Sequence, residues 1–436
     1  MPKYICIDEK ISPFNKTIQV SADKSLSIRT ILLASQAVGT SKISNLLESE
    51  DVLNALKVIK KLGIDYKKTK DFYKIYGFGL NGFDPKNNTV INAGNSGTLG
   101  RLILSLLIKT KKKIKLIGDK SLSKRDFSRV TIPLKKFGAK FSSNSKLPLY
   151  IKGLKNPKPI NYFEKKGSAQ VKTSLIMAAL KTKGLSKIKA KKSRTHTEIM
   201  LKNLKIPIKI KKTKNFDYIQ IRGVNKISPL HYNIPGDISS SAFFLVLTIL
   251  SKNSELLIKN ININPSRTGI IKILKRMRAN IRIVNKKIYK GESVGDILVK
   301  SSNNLKSINC PTKYNTSAID EFLVIFLVAA KSKGISYFKN LSELNHKESP
   351  RLYWGSKILN LMGVKNIVTN DSIKIYGNPN LKIKRKIHIK NYLKDHRIFM
   401  MSVIAGLTFG GSWKINDQDS IKTSFPSFLK ILRKIR

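Results

Sequence analysis

The sequence repeats a helix-to-strand pattern six times, at intervals of about 70 residues. In each copy an amphipathic helix ends in a large apolar residue, a glycine or basic residue usually follows, and a short β-branched run comes next. The six apolar anchors are Leu62, Phe137, Leu204, Met277, Met362 and Leu432. Their spacings of 75, 67, 73, 85 and 70 residues are too long for a solenoid repeat. We therefore predict an α/β (α+β) chain built from six small folding units.

A proline–glycine turn separates the third copy of this pattern from the fourth. Pro235 and Gly236 interrupt the periodic segments there, and Asp237 can cap a helix that begins near Ala242. A chain of 436 residues is also too long for one ordinary hydrophobic core. We therefore expect two domains of three units each, with a boundary within residues 233–237.

The chain is strongly basic, with 84 Lys and Arg against 26 Asp and Glu and a formal charge of +58. Such a charge is typical of nucleic-acid-binding proteins, because cationic surfaces release counterions from phosphate backbones. Here the lysines are spread over almost every segment, with no long basic tail and no basic stripe interleaved with aromatics. We therefore expect no nucleic-acid partner. A basic RNA-associated protein without catalytic activity stays open as an alternative.

Cysteine usage and apolar runs indicate the compartment. The spacing of the two cysteines, Cys6 and Cys310, fits neither metal ligands nor a disulfide framework. The N-terminus has no apolar core of the signal-peptide type. The longest apolar runs, 242–250 and 322–330, fall far short of the about 20 residues that cross a membrane. We expect a cytoplasmic monomer with no bound metal and no membrane contact.

Residues 92–101, NAGNSGTLGR, form a glycine-rich turn that leads directly into an apolar run. Glycines let a ligand approach the backbone closely. A helix that starts at such a turn directs unpaired N–H groups and the positive end of its dipole toward an anion. The turn therefore predicts an anion site, although many such turns bind nothing.

Several other charged turns precede apolar helices. They lie at residues 21–29, 120–126, 167–172, 193–198, 319–321, 346–351 and 395–397. Each alone has an ordinary explanation as a helix cap or a solvated face. Together, if the repeats direct them to one cleft, they supply cations for a small polyanion and two acids for proton transfer. The cations are Lys24, Arg125, Arg351 and Arg397, and the acids are Asp320 and Glu348.

In this order and spacing the turns resemble the 5-enolpyruvylshikimate-3-phosphate synthase family, from about Ser21 to Pro426. The family's lysine-serine-x-serine-x-arginine motif is matched at 24–29, and its glycine-asparagine-x-glycine-threonine turn at 94–98. The other matches are SAQVK at 168–172, PGD at 235–237, NPSRTG at 264–269, IDE at 319–321, HKESPR at 346–351, DHR at 395–397 and SFP at 424–426.

The resemblance implies a two-domain inside-out α/β barrel of six βαβαββ repeats, three per domain. Domain one is expected to comprise 1–22 and 237–436, and domain two 23–236, with hinge crossings near 21–24 and 234–238. The implied reaction transfers the enolpyruvyl group of phosphoenolpyruvate to the 5-hydroxyl of shikimate 3-phosphate. It releases phosphate by addition and elimination through a tetrahedral intermediate, without metal or cofactor, on the pathway to chorismate and the aromatic amino acids.

The resemblance also implies a role for each matched residue. Asp320 accepts the hydroxyl proton, Glu348 delivers a proton to the methylene carbon and later removes one, and Lys24 contacts both substrates. Shikimate 3-phosphate is expected to contact Lys24, Ser25, Arg29, Ser168, the backbone of Ala169, Gln170, Ser193, Asp320 and Lys347. Phosphoenolpyruvate is expected to contact Lys24, Gly97, Arg125, Gln170, Arg351, His396 and Arg397.

Four positions depart from the family pattern. Pro350 replaces an acidic residue, Asp126 a proline, and His196 a tyrosine of some members. Thr423 stands where some members have a lysine. The nearest alternative is the related family that transfers enolpyruvate to UDP-N-acetylglucosamine. That family has a cysteine in the mobile loop over the donor site, whereas residues 119–126 contain none.

Overall fold

A computed structural model describes residues 3–142 and 145–436 of the protein. The chain divides into two compact units. Unit 1 comprises Met1–Ser21, Pro235–Tyr289 and Ser293–Arg436, and unit 2 comprises Ala22–Ile234 and Lys290–Glu292. None of the helices in the two described stretches combines the length and hydropathy that crossing a bilayer requires.

The helices, in chain order, are α1 (Lys24–Ala34), α2 (Glu50–Lys61), α3 (Gly97–Leu106), α4 (Ser128–Lys135), α5 (Ala169–Ala179), α6 (His196–Asn203), α7 (Ile238–Leu250), α8 (Gly269–Arg276), α9 (Asn315–Ala318), α10 (Phe322–Lys331), α11 (Arg351–Leu361), α12 (His396–Phe409) and α13 (Phe428–Ile435). Short 3₁₀ turns span Leu122–Lys124, Thr312–Tyr314, Ser342–His346 and Gln418–Thr423.

Two kinds of helix alternate along the chain. The six apolar anchors of the sequence lie at or near the ends of α2, α4, α6, α8, α11 and α13. The helices α1, α3 and α5 of unit 2, and α7, α10 and α12 of unit 1, are instead buried on almost every side and pack together within their unit. A helix that is apolar all round is stable only inside a core. The nine residues Phe322–Ala330 of α10, all buried, illustrate this.

The strands, in chain order, are β1 (Ile5–Ile7), β2 (Asn15–Ile18), β3 (Val38–Ser44), β4 (Tyr66–Lys68), β5 (Phe72–Phe78), β6 (Thr89–Asn92), β7 (Ile114–Ile117), β8 (Lys140–Phe141), β9 (Leu149–Lys152), β10 (Asn161–Glu164), β11 (Leu185–Lys191), β12 (Ile208–Lys212), β13 (Phe216–Arg222), β14 (His231–Asn233), β15 (Glu255–Asn262), β16 (Asn280–Tyr289), β17 (Glu292–Lys300), β18 (Gly334–Phe338), β19 (Asn366–Val368), β20 (Ile373–Gly377), β21 (Lys386–Ile389) and β22 (Ser412–Ile415).

These strands form three sheets in each unit. The orders are β14-β3-β5-β4, β6-β7-β9-β8 and β10-β11-β13-β12 in unit 2, and β16-β17-β15-β2, β18-β20-β19 and β1-β22-β21 in unit 1. A typical sheet has one parallel pair followed by antiparallel neighbours, as in β6-β7 and β7-β9. The predicted α/β class with six repeats is confirmed. In the described parts of the chain the sheets stay separate, and the buried helices of each unit pack together.

The two ends of the chain meet in one sheet. Strand β1 pairs antiparallel with β22, with Ile5 opposite Ile415 and Ile7 opposite Trp413. Strand β22 in turn runs parallel to β21. The first strand of the chain therefore completes the last repeat.

The crossover geometry explains where the charged turns lie. When a helix connects two parallel strands, its N-terminus and the end of the first strand lie at the same edge of the sheet. Helix α3 connects β6 to β7, α5 connects β10 to β11, and α12 connects β21 to β22. The turns at 21–29, 92–101, 167–172, 319–321 and 395–397 thus lie at the starts of buried helices, whereas those at 193–198 and 346–351 lie at the starts of α6 and α11.

Candidate active site

The first turn of α1 holds Lys24 and Ser25. Asp23 caps this helix, because its Oδ1 accepts a hydrogen bond from Leu26 N at 2.8 Å. Lys24 Nζ donates to Asp51 Oδ2, also at 2.8 Å, and Asp51 belongs to the first turn of α2. The carboxylate of Asp51 therefore fixes the Lys24 ammonium at the start of α1, although no sequence motif had marked Asp51 as part of the site.

Arg29 is buried and connects three helices of unit 2. Its Nε donates to Thr197 Oγ1 at 3.1 Å and its Nη2 to Thr173 Oγ1 at 3.3 Å, while Nη1 donates to Ser25 O at 3.1 Å. Arg194, which the sequence reasoning left out, donates from Nη1 to Ser25 Oγ at 3.1 Å. Arg29 therefore holds the starts of α1, α5 and α6 together, and Arg194 is the cation beside the Ser25 hydroxyl.

Two arginines flank the start of α3. A Cβ on Gly97 would lie 3.0 Å from Arg125 Nη1 and 3.1 Å from Arg101 Nη1, so the glycine leaves the helix N-terminus accessible to both guanidinium groups. Arg125 Nη2 also donates to Asn95 Oδ1 at 3.2 Å. Free backbone N–H groups, the helix dipole and two guanidinium groups together suit a multiply charged anion.

Gln170 ties the start of α5 to the start of α3. Its Oε1 accepts a hydrogen bond from Arg101 Nη1 at 2.7 Å, and its Nε2 donates to Thr98 Oγ1 at 3.1 Å. Ser168 caps α5 by accepting from Val171 N at 3.3 Å. The anion site at α3 and the helix start that carries Ala169 are therefore one connected arrangement.

The hydroxyl group of Ser193 is a candidate for hydrogen bonding to a ligand. Its Oγ is buried and has no hydrogen-bond partner within residues 3–142 and 145–436. Buried hydroxyl groups are nearly always satisfied, so an orphaned one in a cluster of polar helix starts needs an explanation.

The acidic residues of the predicted site lie in one cluster of unit 1. Asp320 Oδ1 accepts a hydrogen bond from Lys347 Nζ at 3.2 Å and lies 3.5 Å from Arg351 Nη1. Its backbone oxygen accepts from Arg397 Nη1 at 2.6 Å. Asp320 lies between α9 and α10, and the N-cap position of α10 belongs to the next residue, Glu321. The Asp320 carboxylate is thus not engaged in capping that helix.

Arg351 is the centre of this cluster. Its Nε and Nη2 donate to the two carboxylate oxygens of Asp395, at 2.8 and 3.2 Å, and Nη2 also contacts Glu348. Although burial lowers the pKa of Arg351, the carboxylates of Asp395 and Glu348 raise it above its ordinary value. Burial raises the pKa of Asp395, but the Arg351 guanidinium outweighs it, so the pKa of Asp395 is lowered. Both groups are therefore charged at neutral pH.

A second buried network in unit 1 was missed by the sequence reasoning. Arg267 Nη2 donates to Asp237 Oδ1 at 3.0 Å and to Ser239 Oγ at 2.7 Å. The Ser239 hydroxyl donates to Glu321, the residue next to Asp320. Burial, together with the neighbouring Asp320 charge, raises the pKa of Glu321. The PGD turn, which the sequence indicated as a domain boundary, and the NPSRTG segment, which was found only as a family match, thus meet at the turn that carries Asp320.

The positions that depart from the family pattern have structural explanations. Pro350 occupies the N-cap position of α11, where no N–H is required of it. Asp126 Oδ1 accepts from Ser128 N at 2.8 Å, and His196 Nδ1 lies 2.7 Å from Glu292 Oε1 in a buried pair. None of these side chains disrupts the clusters described above.

The fourth departure is Thr423, which stands where some family members have a lysine. Thr423 Oγ1 lies 3.5 Å from Nδ1 of His396, the first residue of α12. Lys422 is exposed and pairs with Asp419 at 3.4 Å. The threonine is therefore beside the cluster, and the neighbouring lysine faces a surface carboxylate.

The structure assembles the predicted residues into two sets, one on each unit. The first set, on unit 2, is Lys24, Ser25, Arg29, Gly97, Arg125, Ser168, Ala169, Gln170 and Ser193. The second, on unit 1, is Asp320, Lys347, Glu348, Arg351, His396 and Arg397. The described residues contain no group of three or more His, Cys, Asp or Glu side chains placed to hold a metal ion.

Comparison with known proteins finds relatives that match nearly the whole chain. Residues 9–432 match the family model "EPSP synthase (3-phosphoshikimate 1-carboxyvinyltransferase)". The 3-phosphoshikimate 1-carboxyvinyltransferase of Ruthia magnifica subsp. Calyptogena magnifica is 40% identical over 420 residues, which cover 96% of this chain and 94% of the relative. That of Zymomonas mobilis is 35% identical over 444 residues, which cover 100% and 97%.

Solved structures give the same result. An EPSP synthase from Acinetobacter baumannii superposes with a TM-score of 0.85 at 32% identity and covers 99% of this chain and 97% of its own. The enolpyruvyl transferase NikO from Streptomyces tendae has a TM-score of 0.76, with 100% and 98% coverage. At 12% identity the second likeness concerns the fold alone.

Proposed function

The chain belongs to the EPSP synthase family, and from that membership we propose which residues bind each substrate and which transfer protons. The enzyme is a transferase of the shikimate pathway. It moves the enolpyruvyl group of phosphoenolpyruvate to shikimate 3-phosphate and releases phosphate. The enzyme therefore has to bind two anionic substrates and to carry out two proton transfers.

Phosphoenolpyruvate carries a carboxylate and a phosphate, and the proposal gives both to guanidinium groups and a helix start. Arg125 and the backbone of Gly97 at α3 bind it, together with Lys24 and Gln170. Arg351, Arg397 and His396 complete its set in this proposal. Planar guanidinium forks fit these anions with paired hydrogen bonds, each worth roughly 1.5–3 kcal/mol.

Shikimate 3-phosphate is assigned mainly to the hydroxyl-rich helix starts of unit 2. Ser168, Ala169 N and Ser193 face its phosphate in this proposal, and Ser25 and Arg29 its other oxygens. Lys24, Gln170 and Lys347 complete the set. The unpartnered Ser193 Oγ supports this assignment, because a phosphate oxygen satisfies a buried hydroxyl.

Two carboxylates of unit 1 carry the proton transfers. Asp320 removes the proton from the 5-hydroxyl, and the hydroxyl oxygen then bonds to C2 of phosphoenolpyruvate as Glu348 adds a proton to C3. In the second step Glu348 takes a proton back from C3, the C–O bond to phosphate breaks, and the double bond re-forms. A positioned base contributes about 10²–10⁴-fold to such a rate.

One observation supports this division above the others. Asp320 and Glu348 both contact Arg351, so two acids and several cations occupy one cluster. In a chain with only 26 acidic residues, this concentration is difficult to explain by helix capping alone.

We also propose that domain one comprises residues 1–22 and 237–436 and domain two residues 23–236, with hinge crossings near 21–24 and 234–238. The protein acts as a monomer in the cytoplasm in this proposal. The reaction requires no nucleic acid, membrane, metal or cofactor.

The assignment is tested by phosphate release from the purified enzyme given both substrates. Release should require phosphoenolpyruvate and shikimate 3-phosphate together, and UDP-N-acetylglucosamine should not replace the latter. A thermal shift much larger with both substrates than with either alone is expected as well. Phosphate release that is unchanged when shikimate 3-phosphate is omitted contradicts the proposal.

A further inference from the structure

The outward face of the β10-β11-β13-β12 sheet combines exposed rings with cations. We call it the basic aromatic face. Its rings and cations are Phe163, Phe216, Tyr218, Lys187, Lys189, Lys191, Lys209, Lys211 and Arg222. These residues alternate with buried ones along their strands, as expected for a sheet with one solvated side.

Strand pairing brings the rings and the cations together. Lys189 lies opposite Phe163 on β10 and Tyr218 on β13, and Lys191 lies opposite Phe216. Lys189 Nζ is 4.6 Å from the centroid of the Phe163 ring, 4.7 Å from that of Phe216 and 5.6 Å from that of Tyr218. Phe163 and Tyr218 keep 36% and 39% of their surface exposed. The face thus presents rings at the surface, each with an ammonium beside it.

No carboxylate balances this charge. The acidic residues of these strands, Glu164 and Asp217, are both buried, so within the described residues of the sheet the outward positions carry cations and no acid. A sheet of unit 1 differs, because there Lys300 on β17 pairs with Glu255 on β15 at 2.7 Å. On that sheet of unit 1 a surface carboxylate thus balances one of the lysines.

We propose that the basic aromatic face binds single-stranded nucleic acid. Exposed rings on a four-stranded sheet stack on unpaired bases, and cations next to them bind the phosphates between those bases. The amide side chains of Asn161 and Gln220, also on this face, add hydrogen-bonding groups for base edges. This binding is independent of enolpyruvyl transfer, since no residue of the face belongs to the proposed active site.

The alternation of rings and cations distinguishes this ligand from an anionic membrane. A peripheral membrane site inserts a continuous apolar surface beside its cations. Here rings and lysines alternate across the strands, because Phe163, Lys189, Tyr218 and Lys211 lie opposite one another on β10, β11, β13 and β12. That pattern follows the alternation of base and phosphate in a single strand.

The test uses the full-length enzyme and a fluorescein-labelled 12-nucleotide oligouridine, with binding followed by anisotropy between 50 and 200 mM salt. Two double variants separate the two contributions. Phe163→Leu/Tyr218→Leu removes two rings and keeps apolar strand residues, and it should weaken binding about tenfold or more at unchanged salt dependence. Lys187→Gln/Lys191→Gln should reduce the slope of log K against log salt by about 1.4, for two phosphate contacts on a single strand.

Matched controls come from a ring–lysine pair on unit 1. Lys414 Nζ lies 4.3 Å from the exposed Tyr4 ring on the β1-β22-β21 sheet. Tyr4→Leu/Lys414→Gln should change oligouridine affinity less than twofold, and it is compared with Tyr218→Leu/Lys189→Gln. Every variant should keep its far-ultraviolet circular dichroism and its rate of phosphate release, which shows that folding and the enzymatic role are intact.

Several outcomes overturn the proposal. One is the absence of oligouridine binding by the wild type at 50 mM salt. Another is equal weakening by the control and test variants, which indicates general attraction to a basic protein. A third is unchanged affinity in Phe163→Leu/Tyr218→Leu, and a fourth is stronger binding to phosphatidylserine vesicles than to oligouridine at equal phosphate concentration. The last result assigns the face to a membrane instead.

Discussion

The buried helices of the two units start in chemically different ways. In unit 2 the residues around the three helix starts are mostly hydroxyls, a glycine, an amide and cations. In unit 1 each buried helix has an acidic residue at its N-cap position: Asp237, Glu321 and Asp395. The same repeat thus provides starts rich in donors in unit 2, where Asp23 is the one acidic cap of the three, and carboxylates contacted by cations or hydroxyls in unit 1. The first kind is suited to hold anions, and the second lies beside Asp320 and Glu348, the acids proposed to exchange protons.

The comparison predicts the largest effect at Asp320. Asp320→Asn keeps the size of the side chain and its contact with Lys347 but removes the base. We expect kcat to fall about 10²–10⁴-fold, while the KM of phosphoenolpyruvate changes little. Steady-state phosphate release measures both. Asp419→Asn, at an exposed carboxylate of the same unit, should be normal. A kcat near that of the wild type in Asp320→Asn contradicts the proposal that Asp320 of unit 1 is the base.

Arg351 should be the most important residue for the stability of unit 1. Arg351→Met leaves the fully buried Asp395 without its main partner. Loss of one member of a buried ion pair costs about 3–5 kcal/mol, which urea unfolding measures. The pKa of Asp395 is lower in the folded protein than in the unfolded chain, where it is about 3.9. The ionised Asp395 therefore stabilises the fold above about pH 3.9, and this stability is lost as the pH falls through the lowered pKa.

Two measurements sharpen this prediction. The stability difference between the wild type and Arg351→Met should shrink as the pH falls below 4. The control Arg433→Met, on the exposed side of α13, should cost less than about 0.5 kcal/mol. Equal losses in the two variants contradict a central structural role for Arg351.

Gly97 tests the anion-binding half of the comparison. Gly97→Ala places a Cβ 3.0 Å from Arg125 Nη1, so the guanidinium must move from the helix start. The KM of phosphoenolpyruvate should rise about tenfold, which corresponds to one weakened charge-assisted hydrogen bond. Alanine favours a helix over glycine by about 1 kcal/mol, so the thermal midpoint should not fall. A rise in the KM of shikimate 3-phosphate alone contradicts the assignment.

The smallest effect concerns Glu321. Its pKa is raised, chiefly by burial, so the wild type loses stability as the pH rises from the unfolded value of about 4.3 through the raised pKa. Glu321→Gln lacks this loss. Its free energy of unfolding should exceed that of the wild type by on the order of 1 kcal/mol at pH 8, with no difference at pH 4. A constant difference at both pH values shows that the charge of Glu321 is not the cause.

The sequence predicted the amphipathic helices and the helix starts well, because both are local patterns. An apolar anchor followed by glycine marks a helix end wherever it occurs, and a capping residue beside a basic one marks a helix start. The fold class followed from counting them. The same local reasoning placed Lys24, Gly97 and Asp320 at helix starts, where the structure has them.

What the sequence did not predict depends on contacts between distant segments. Asp51 has the position of an ordinary acid in the first turn of a helix, and nothing nearby in the chain indicates that it binds Lys24, 27 residues away. The Arg267–Ser239–Glu321 network joins three segments in the same way. The basic aromatic face was invisible for a related reason. Its rings and lysines are far apart in the chain, and only the register of β10, β11 and β13 places them side by side.

The pairing of β1 with β22 determines when the enzyme can be completed on the ribosome. Strand β1 leaves the exit tunnel long before Ser412–Ile415, the strand that it needs as its neighbour. At about 5–20 residues per second, the amino-terminal segment waits roughly 20–80 s for that partner. Nearly all of unit 2 has emerged by residue 234 and can fold during the wait. A nascent chain that has reached only residue 234 therefore contains the helix starts proposed to bind anions but not the acids proposed to transfer protons. It stays inactive until unit 1 is made.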